Sequence, residues 1–244
     1  MDSVGRAFLE KTQHRHLASS EQERGLPQPP LEVRLGDGDM LELPEHRAAS
    51  DVKLTEAIEA RRSLREYSEE PFSLAELAFL LWSAQGVTRV IPDRATFRTV
   101  PSAGARHAFE TVVFANRIEG LDPGTYQYLA IEHRLIRLDR SPGLADRAAD
   151  ACLGQEMVRQ AAATFVWVAE RARMAWRYGE RGIRYLFLDA GHACQNLYLA
   201  AEAIGSGACA IAAFDDQRMN SLLGLDGIER FVVYLASVGK RTGH

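Results

Sequence analysis

Cysteine is scarce in this chain: three residues, Cys152, Cys194 and Cys209, far apart and without a CxxC pair. An odd, scattered set excludes a disulfide framework and a zinc site of the usual spacing, and fits a reducing compartment. Positive charge is not in excess. Lys and Arg number 29 against 33 Asp and Glu, a formal net charge of −4, which argues against a general nucleic-acid binder. Long apolar runs are missing too. None approaches the roughly 18–20 residues a membrane span needs, and the opening stretch "MDSVGRAFLEKTQHRH" has no signal-peptide core. A soluble, cytoplasmic protein is expected. Also missing are a GxGxxG fingerprint after a strand, a GxSxG element, repeats and low-complexity tracts.

What is present is an ordinary globular composition, 46% hydrophobic and 25% charged over 244 residues. Residues 1–50 are polar and rich in turn formers, so they are read as an extension, either a disordered tail or an arm laid on another surface. Residues 51–244 are read as the folded domain. Leu31, Val33, Leu41 and Leu43 are the arm's candidates for packing on a neighbour. Helical spacing begins near Lys53. Ser73 and Glu76 form a capping box, with Phe72 and Leu77 as its hydrophobic staple, ahead of a helix that ends at Gly86. "TVVFA" (111–115) and "ATFVWVA" (163–169) are apolar throughout and predict buried strands. "GTYQYLA" and "HRLIRL" predict a meander. A long helix is predicted over 183–204, followed by strands at 208–214 and 230–239 with a short helix between them. Helices, then strands, then both interleaved predict an α+β domain with a mixed central sheet flanked by helices.

Four segments carry candidate chemistry. "RRSLREY" (61–67) places Arg61, Arg62 and Arg65 around Ser63. Arginine forks and a serine hydroxyl suit a phosphate, although basic residues also gather at helix C-termini with no ligand. Lys240 and Arg241 complete such a site only where the fold joins the chain's ends. "PSAG" (101–104) lets a flat ligand approach the backbone, or is a plain turn. "GSGACAIAAFD" (205–215) is either a tightly packed strand of small residues or a backbone edge offered to a planar ring. In 177–198, Tyr178 and Tyr185 are possible proton donors. His192, Gln195 and Asn196 make a poor metal site and a better helix interface. His107 suits packing as well as proton chemistry, and Cys209 is read as a small core filler.

Taken in order, "EAIEARRSLREYSEEPFSLAELAFLLWSAQG", "PSAGARHAFE", "EGLDPGTYQY", "RYLFLDAGHACQNLYLAAEAIGSGACAIAAFDD" and "LLGLDG…VVYLASVGK" resemble the FMN-dependent nitroreductase superfamily. More narrowly, they are similar to its SagB-type, azoline-oxidase-like dehydrogenase branch. The resemblance spans about residues 50–241. "FLEKT" and "PQPPLE" extend it weakly into the arm. It implies a nitroreductase-like fold and an obligate homodimer built on a long central helix containing Gln195 and Asn196. It implies FMN cradled by Arg61, Ser63 and Arg65, with Arg62 nearby and Lys240 and Arg241 at the phosphate. Pro101, Ser102, Ala103 and Gly104 would lie under the flavin, supplied by the partner subunit. The N–H groups of Ala212 and Ala213 would face flavin N5 and O4. One departure matters: the branch's lysine–tyrosine pair is here Arg177–Tyr178. Arginine is a poor general base, so azoline oxidation is weakened, and Arg177 suits a substrate carboxylate instead.

The expected function is therefore FMN-dependent oxidation of a peptide- or amino-acid-derived intermediate in a biosynthetic pathway, by hydride transfer to flavin N5. Tyr178 would handle the proton with Arg177 beside it, and any cyclodehydratase would be a separate partner enzyme. The alternatives are an NAD(P)H-dependent nitro or quinone reductase and a non-catalytic scaffold subunit.

Overall fold

The computed structural model describes residues 3–46 and 52–243. The boundary expected at residue 50 lies outside the described residues.

Seven strands form one sheet in the order β1 (Met40–Glu42), β6 (Arg134–Asp139), β5 (Gly124–Leu129), β4 (Phe109–Ala115), β7 (Ala163–Glu170), β9 (Arg230–Lys240), β8 (Ser206–Ile211). Every strand pair is antiparallel. The expectation of a mixed sheet is corrected on this point. The helical crossover from β7 does bring β8 back parallel to it, but β9 slots between the two and pairs antiparallel with both. The parallel pairing onto this sheet is a single bridge, Ser63 to Ala208.

The central strands are buried on both faces, which is why "TVVFA" and "ATFVWVA" are largely apolar. Alternate residues still part company. Phe165, Trp167 and Ala169 join one core cluster with α3 (Leu74–Gln85) and α7 (Gly182–Ala203). Val166 and Val168 join a second with α4 (Leu144–Ala151), α5 (Glu156–Gln160) and α8 (Asp216–Leu222). α3 carries its capping box: the Ser73 N–H donates to Glu76 Oε2 at 2.7 Å, and the Glu76 N–H donates to Ser73 Oγ at 3.2 Å. α2 (Leu54–Ala60) and α6 (Arg171–Tyr178) flank α7. A hairpin of β2 (Val87–Ile91) and β3 (Ala95–Arg98) follows α3.

The described part of the extension lies on its own chain. α1 (Val4–Lys11) leads it, β1 adds an edge strand beside β6, and Leu43 enters the first core. No described helix is long and apolar enough to cross a membrane.

Candidate functional site

The chain leaves α2 at Arg61 with an extended backbone (φ −49°, ψ 123°) and runs along the outer edge of β8. The Leu64 N–H donates to the Ala208 carbonyl at 2.9 Å, and the Ser68 N–H to that of Lys240 at 3.0 Å. Two glycines make this seat possible. A Cβ on Gly207 would lie 2.6 Å from Leu64 Cδ2, and one on Gly239 would lie 2.6 Å from Tyr67 Cγ. Tyr67 then plugs the stretch to β9, its hydroxyl 2.7 Å from the Leu64 carbonyl and 2.8 Å from Ser237 Oγ. Burial pushes its ionisation well above the ordinary tyrosine range.

This seat turns Arg61, Ser63 and Arg65 outward together. Ser63 Oγ is 3.0 Å from the Tyr198 hydroxyl, which also accepts the Ala210 N–H at 2.7 Å. Arg61 lies over the Tyr198 ring, 5.3 Å from its centroid. Among the described residues no carboxylate pairs with Arg61 or Arg65. Arg62 differs: its guanidinium folds back onto the carbonyls of Glu59 and Arg61 at the end of α2. Cys209 is buried beside Ser63, and burial raises its thiol.

The fold does bring Lys240 and Arg241 to this corner, but each already has a carboxylate. Lys240 Nζ is 2.6 Å from Glu70 and 3.4 Å from Glu76. Arg241 holds both oxygens of Glu202, at 2.7 and 2.6 Å. Ala212 and Ala213 are exposed, just beyond the last ladder pair, Ile211–Leu235. Ala212 lines a groove of about 600 Å³ with Phe187, Gly191 and Phe214.

Pro101–Gly104 sit elsewhere, against α6 and the other end of α7. Gly104 has φ +56°, and a Cβ there would meet the Tyr178 hydroxyl at 2.5 Å and Arg177 Cδ and Nε at 3.0 Å. The Ala103 N–H donates to Asp189 Oδ1 at 3.3 Å, and Ser102 Oγ accepts the His107 N–H at 2.8 Å. Asp189 is buried, its Oδ2 has no hydrogen-bond partner among the described residues, and burial raises its carboxyl. Tyr178 packs edge-on against Tyr185 at 4.8 Å, with Arg177 5.7 Å from its ring centroid.

The predicted residues therefore fall into two separate clusters, referred to below as half-sites because the proposed function joins them. Tyr198 anchors the arginine–serine corner and Asp189 anchors the Pro101–Gly104 segment. Nine residues (189 to 198) separate these anchors on α7, about 13 Å of helix axis. Asn196 faces inward, donating to the carbonyls of Ser83 and Thr99, while Gln195 and His192 are exposed.

The Nitroreductase family profile matches residues 58–240, which takes in both half-sites. The chain belongs to the Nitroreductase family. It is 34% identical over 208 residues to the protein named "Putative nitroreductase MJ1384" of Methanocaldococcus jannaschii, covering 85% of this chain and 99% of that one. It is 31% identical over 133 residues to the trifolitoxin-processing protein TfxB of Rhizobium leguminosarum bv. trifolii. That match covers 53% of this chain but only 36% of TfxB. The same nitroreductase fold recurs in the E. coli microcin synthetase McbBCD complex. The likeness there has a TM-score of 0.61 at 18% identity and covers 97% of this chain and 87% of that one. It recurs in the NADPH:FMN oxidoreductase of Vibrio harveyi, TM-score 0.56 at 17% identity, over 78% and 69% of the two chains.

Sequence reasoning assigned no role to Tyr198 or Asp189. Both sit at positions where the α7 periodicity asks only for a residue facing inward. Nothing local marks a tyrosine or an aspartate there as a contact to distant loops.

Proposed function

We propose that this nitroreductase-family protein is an FMN-dependent oxidoreductase, a homodimer that oxidises a peptide- or amino-acid-derived intermediate. The observation that carries the reading is the outward corner of Arg61, Ser63 and Arg65. Two guanidiniums without carboxylate partners among the described residues flank a hydroxyl held in place by Tyr198. Such a cluster is stable in a folded protein and ready for a phosphate monoester. The surroundings fit the flavin in one further respect: small residues with N–H groups lie exposed past the end of β8.

In this reading Arg61, Ser63 and Arg65 hold the phosphate. Lys240 and Arg241, already paired with Glu70 and Glu202, shape the corner from behind. Arg62 closes α2. The Ala212 and Ala213 N–H groups would serve as donors to the ring, and Pro101 to Gly104 would come from the second subunit. Bound FMN supplies the acceptor for a hydride. Tyr178 Oη moves the substrate proton, and Arg177 orients the substrate beside it. Support for a biosynthetic role, with separate partner enzymes, comes from the processing function in the TfxB name and from the synthetase complex that shares the fold. The three buried, unpaired cysteines support a cytoplasmic setting.

A second reading, an NAD(P)H-dependent nitro or quinone reductase, is favoured by the nitroreductase name of the relative matched along nearly its whole length. Anaerobic mixing with NAD(P)H and then a nitroarene separates the two. Rapid bleaching of the flavin and stoichiometric nitro reduction support the reductase; an inert flavin supports substrate oxidation. Two substitutions test the site itself. Arg65→Ala should be purified without FMN. Tyr178→Phe should keep FMN and lose roughly a hundredfold or more in turnover, the scale of lost general acid–base catalysis. Normal turnover by Tyr178→Phe removes that residue from the chemistry.

A further inference from the structure

The C-terminal end of α6 is clasped by the extension. On one side Arg184 donates to the Leu9 carbonyl and to Thr12 Oγ1, both at 2.6 Å, and Arg181 Nη1 donates to the Thr12 carbonyl at 2.9 Å. On the other side the Trp176 carbonyl accepts the Gln22 N–H at 2.9 Å, and Trp176 Nε1 donates to the Leu26 carbonyl at 2.9 Å. Between and beside these ties lie His14, Leu17 to Ser20 and Glu23. They enclose a cavity of about 330 Å³ whose opposite wall is Arg177, Tyr178 and Arg181.

The cavity is electropositive. Arg177 is exposed at the helix end and has no carboxylate partner among the described residues. Arg181 uses Nε on the Tyr185 hydroxyl and Nη1 on Thr12, which leaves Nη2. Arg106, 5.3 Å from the Trp176 ring, adds a guanidinium nearby, depressed by burial and then by the charge of Arg177. Against these stands one acid, Glu23, which accepts the N–H and hydroxyl of Ser20 on the arm's wall. Tyr178 is shared between this cavity and the glycine cradle, its hydroxyl 2.5 Å from where a Gly104 Cβ would stand.

We propose that the arm-walled cavity is a subsite for the carboxylate of the substrate, with Arg177 as its forked partner and the arm as the wall that selects what enters. A planar monoanion matches one free guanidinium fork. Glu23 on the facing wall disfavours a second negative charge, so a carboxylate fits better than a phosphate. The inference rests on the assignment of Tyr178 to the reacting side of the site. A carboxylate held at Arg177 places the adjoining carbons of the substrate next to that hydroxyl.

The test is calorimetric titration of the purified full-length protein with benzoate, benzamide and phenyl phosphate. Benzoate should bind the wild type, benzamide should give no heat, and phenyl phosphate should bind more weakly than benzoate. Arg177→Met should weaken benzoate about tenfold or more, as loss of a charged hydrogen bond does. Arg177→Lys, which keeps the charge and loses the fork, should fall between. That variant decides the matter should Arg177→Met fail to fold. Glu23→Gln should tighten benzoate. Absence of benzoate binding, equal binding by wild type and either Arg177 variant, equal binding of benzamide, or tighter binding of phenyl phosphate overturns the proposal. Flavin content is measured on the same samples. A yellow protein that ignores benzoate sinks this inference alone, while in a colourless protein, whose Arg61 corner is open to anions, only the Arg177-dependent part of benzoate binding decides it.

Discussion

Tyr198 ties three pieces of chain through one side chain: Ser63 and the Ala210 N–H at its hydroxyl, Arg61 at its ring. Tyr198→Phe leaves the ring and removes the two hydrogen bonds. At about 1 kcal/mol net for each bond, FMN affinity should fall by up to roughly thirtyfold while the fold survives. Fluorescence titration of the stripped protein with FMN checks this, and unchanged affinity would remove Tyr198 from the corner. Gly239 acts by close approach. Gly239→Ala drives a methyl into Tyr67, so stability should drop by about 1–3 kcal/mol in urea titration, with flavin affinity falling alongside. His107 is 4% exposed, with φ +43°. Burial first, then Arg98, Arg173 and Arg106, lowers its imidazole from 6.5 to about 3. Between those values the unfolded chain binds more protons than the folded one. This residue's contribution is therefore lost as pH falls through that window and regained as pH rises. The raised carboxyls of Asp189 and Glu32 act with the opposite sign, so the comparison must be made against a variant. His107→Asn, which tolerates positive φ, should show a shallower rise of unfolding free energy between about pH 4 and 6. An unchanged slope would mean that His107 is not held neutral.

At the scale of elements, the arm docks by reading buried polar groups on the sheet. Glu110 and Arg173 form an ion pair at 2.5 Å with both side chains 2% exposed or less. Arg173 Nε then donates to the Pro30 carbonyl, and Glu110 Oε1 accepts the Val33 N–H. The Gln127 amide acts as a substitute strand, donating to the Val33 carbonyl and accepting the Leu35 N–H. Glu110→Gln leaves Arg173 charged, buried and without its counter-ion. It should cost about 3–5 kcal/mol in denaturant titration and speed proteolysis of the arm. Loss of neither stability nor protection would contradict this docking. These contacts also explain what could be read beforehand. β4 and β7 were legible because a strand buried on both faces is largely apolar, broken here only by threonines and by Glu110 and Glu170 near the strand ends. The α3 start was legible because its cap is four residues long. The arm's seat was not, because Val33 meets Glu110 and Leu35 meets Gln127 across more than seventy residues. β8 was read three residues too far, through Phe214, because small apolar residues continue past its last pair at Ile211. The same composition places Ala212 and Ala213 outside the ladder, where their role is proposed.

At the scale of the molecule, α7 carries the organisation: Asp189 at one half-site, Tyr198 at the other, and Phe187 and Leu188 exposed at 55% and 59%. Large apolar side chains left bare on a central helix are the surface the proposed homodimer would cover, joining the two half-sites in that reading. Phe187→Glu should therefore give a monomer by light scattering and lose FMN with it. A monomer that retains FMN would show that one chain completes the site. The cluster at Arg61 was visible in the sequence as three arginines around a serine, which suits a phosphate or a ligand-free helix end; its role as an anion site is proposed. Its pairing with Pro101–Gly104 is an expectation carried by family resemblance alone and stays a proposal, since nothing in either stretch specifies the other. The most direct measurement is the absorbance spectrum of the purified protein, with the released chromophore identified by mass. Oxidised-flavin bands and the mass of FMN, in stoichiometric amount, are the predicted result. A colourless protein that also fails to take up added FMN would contradict the flavoenzyme reading at its root.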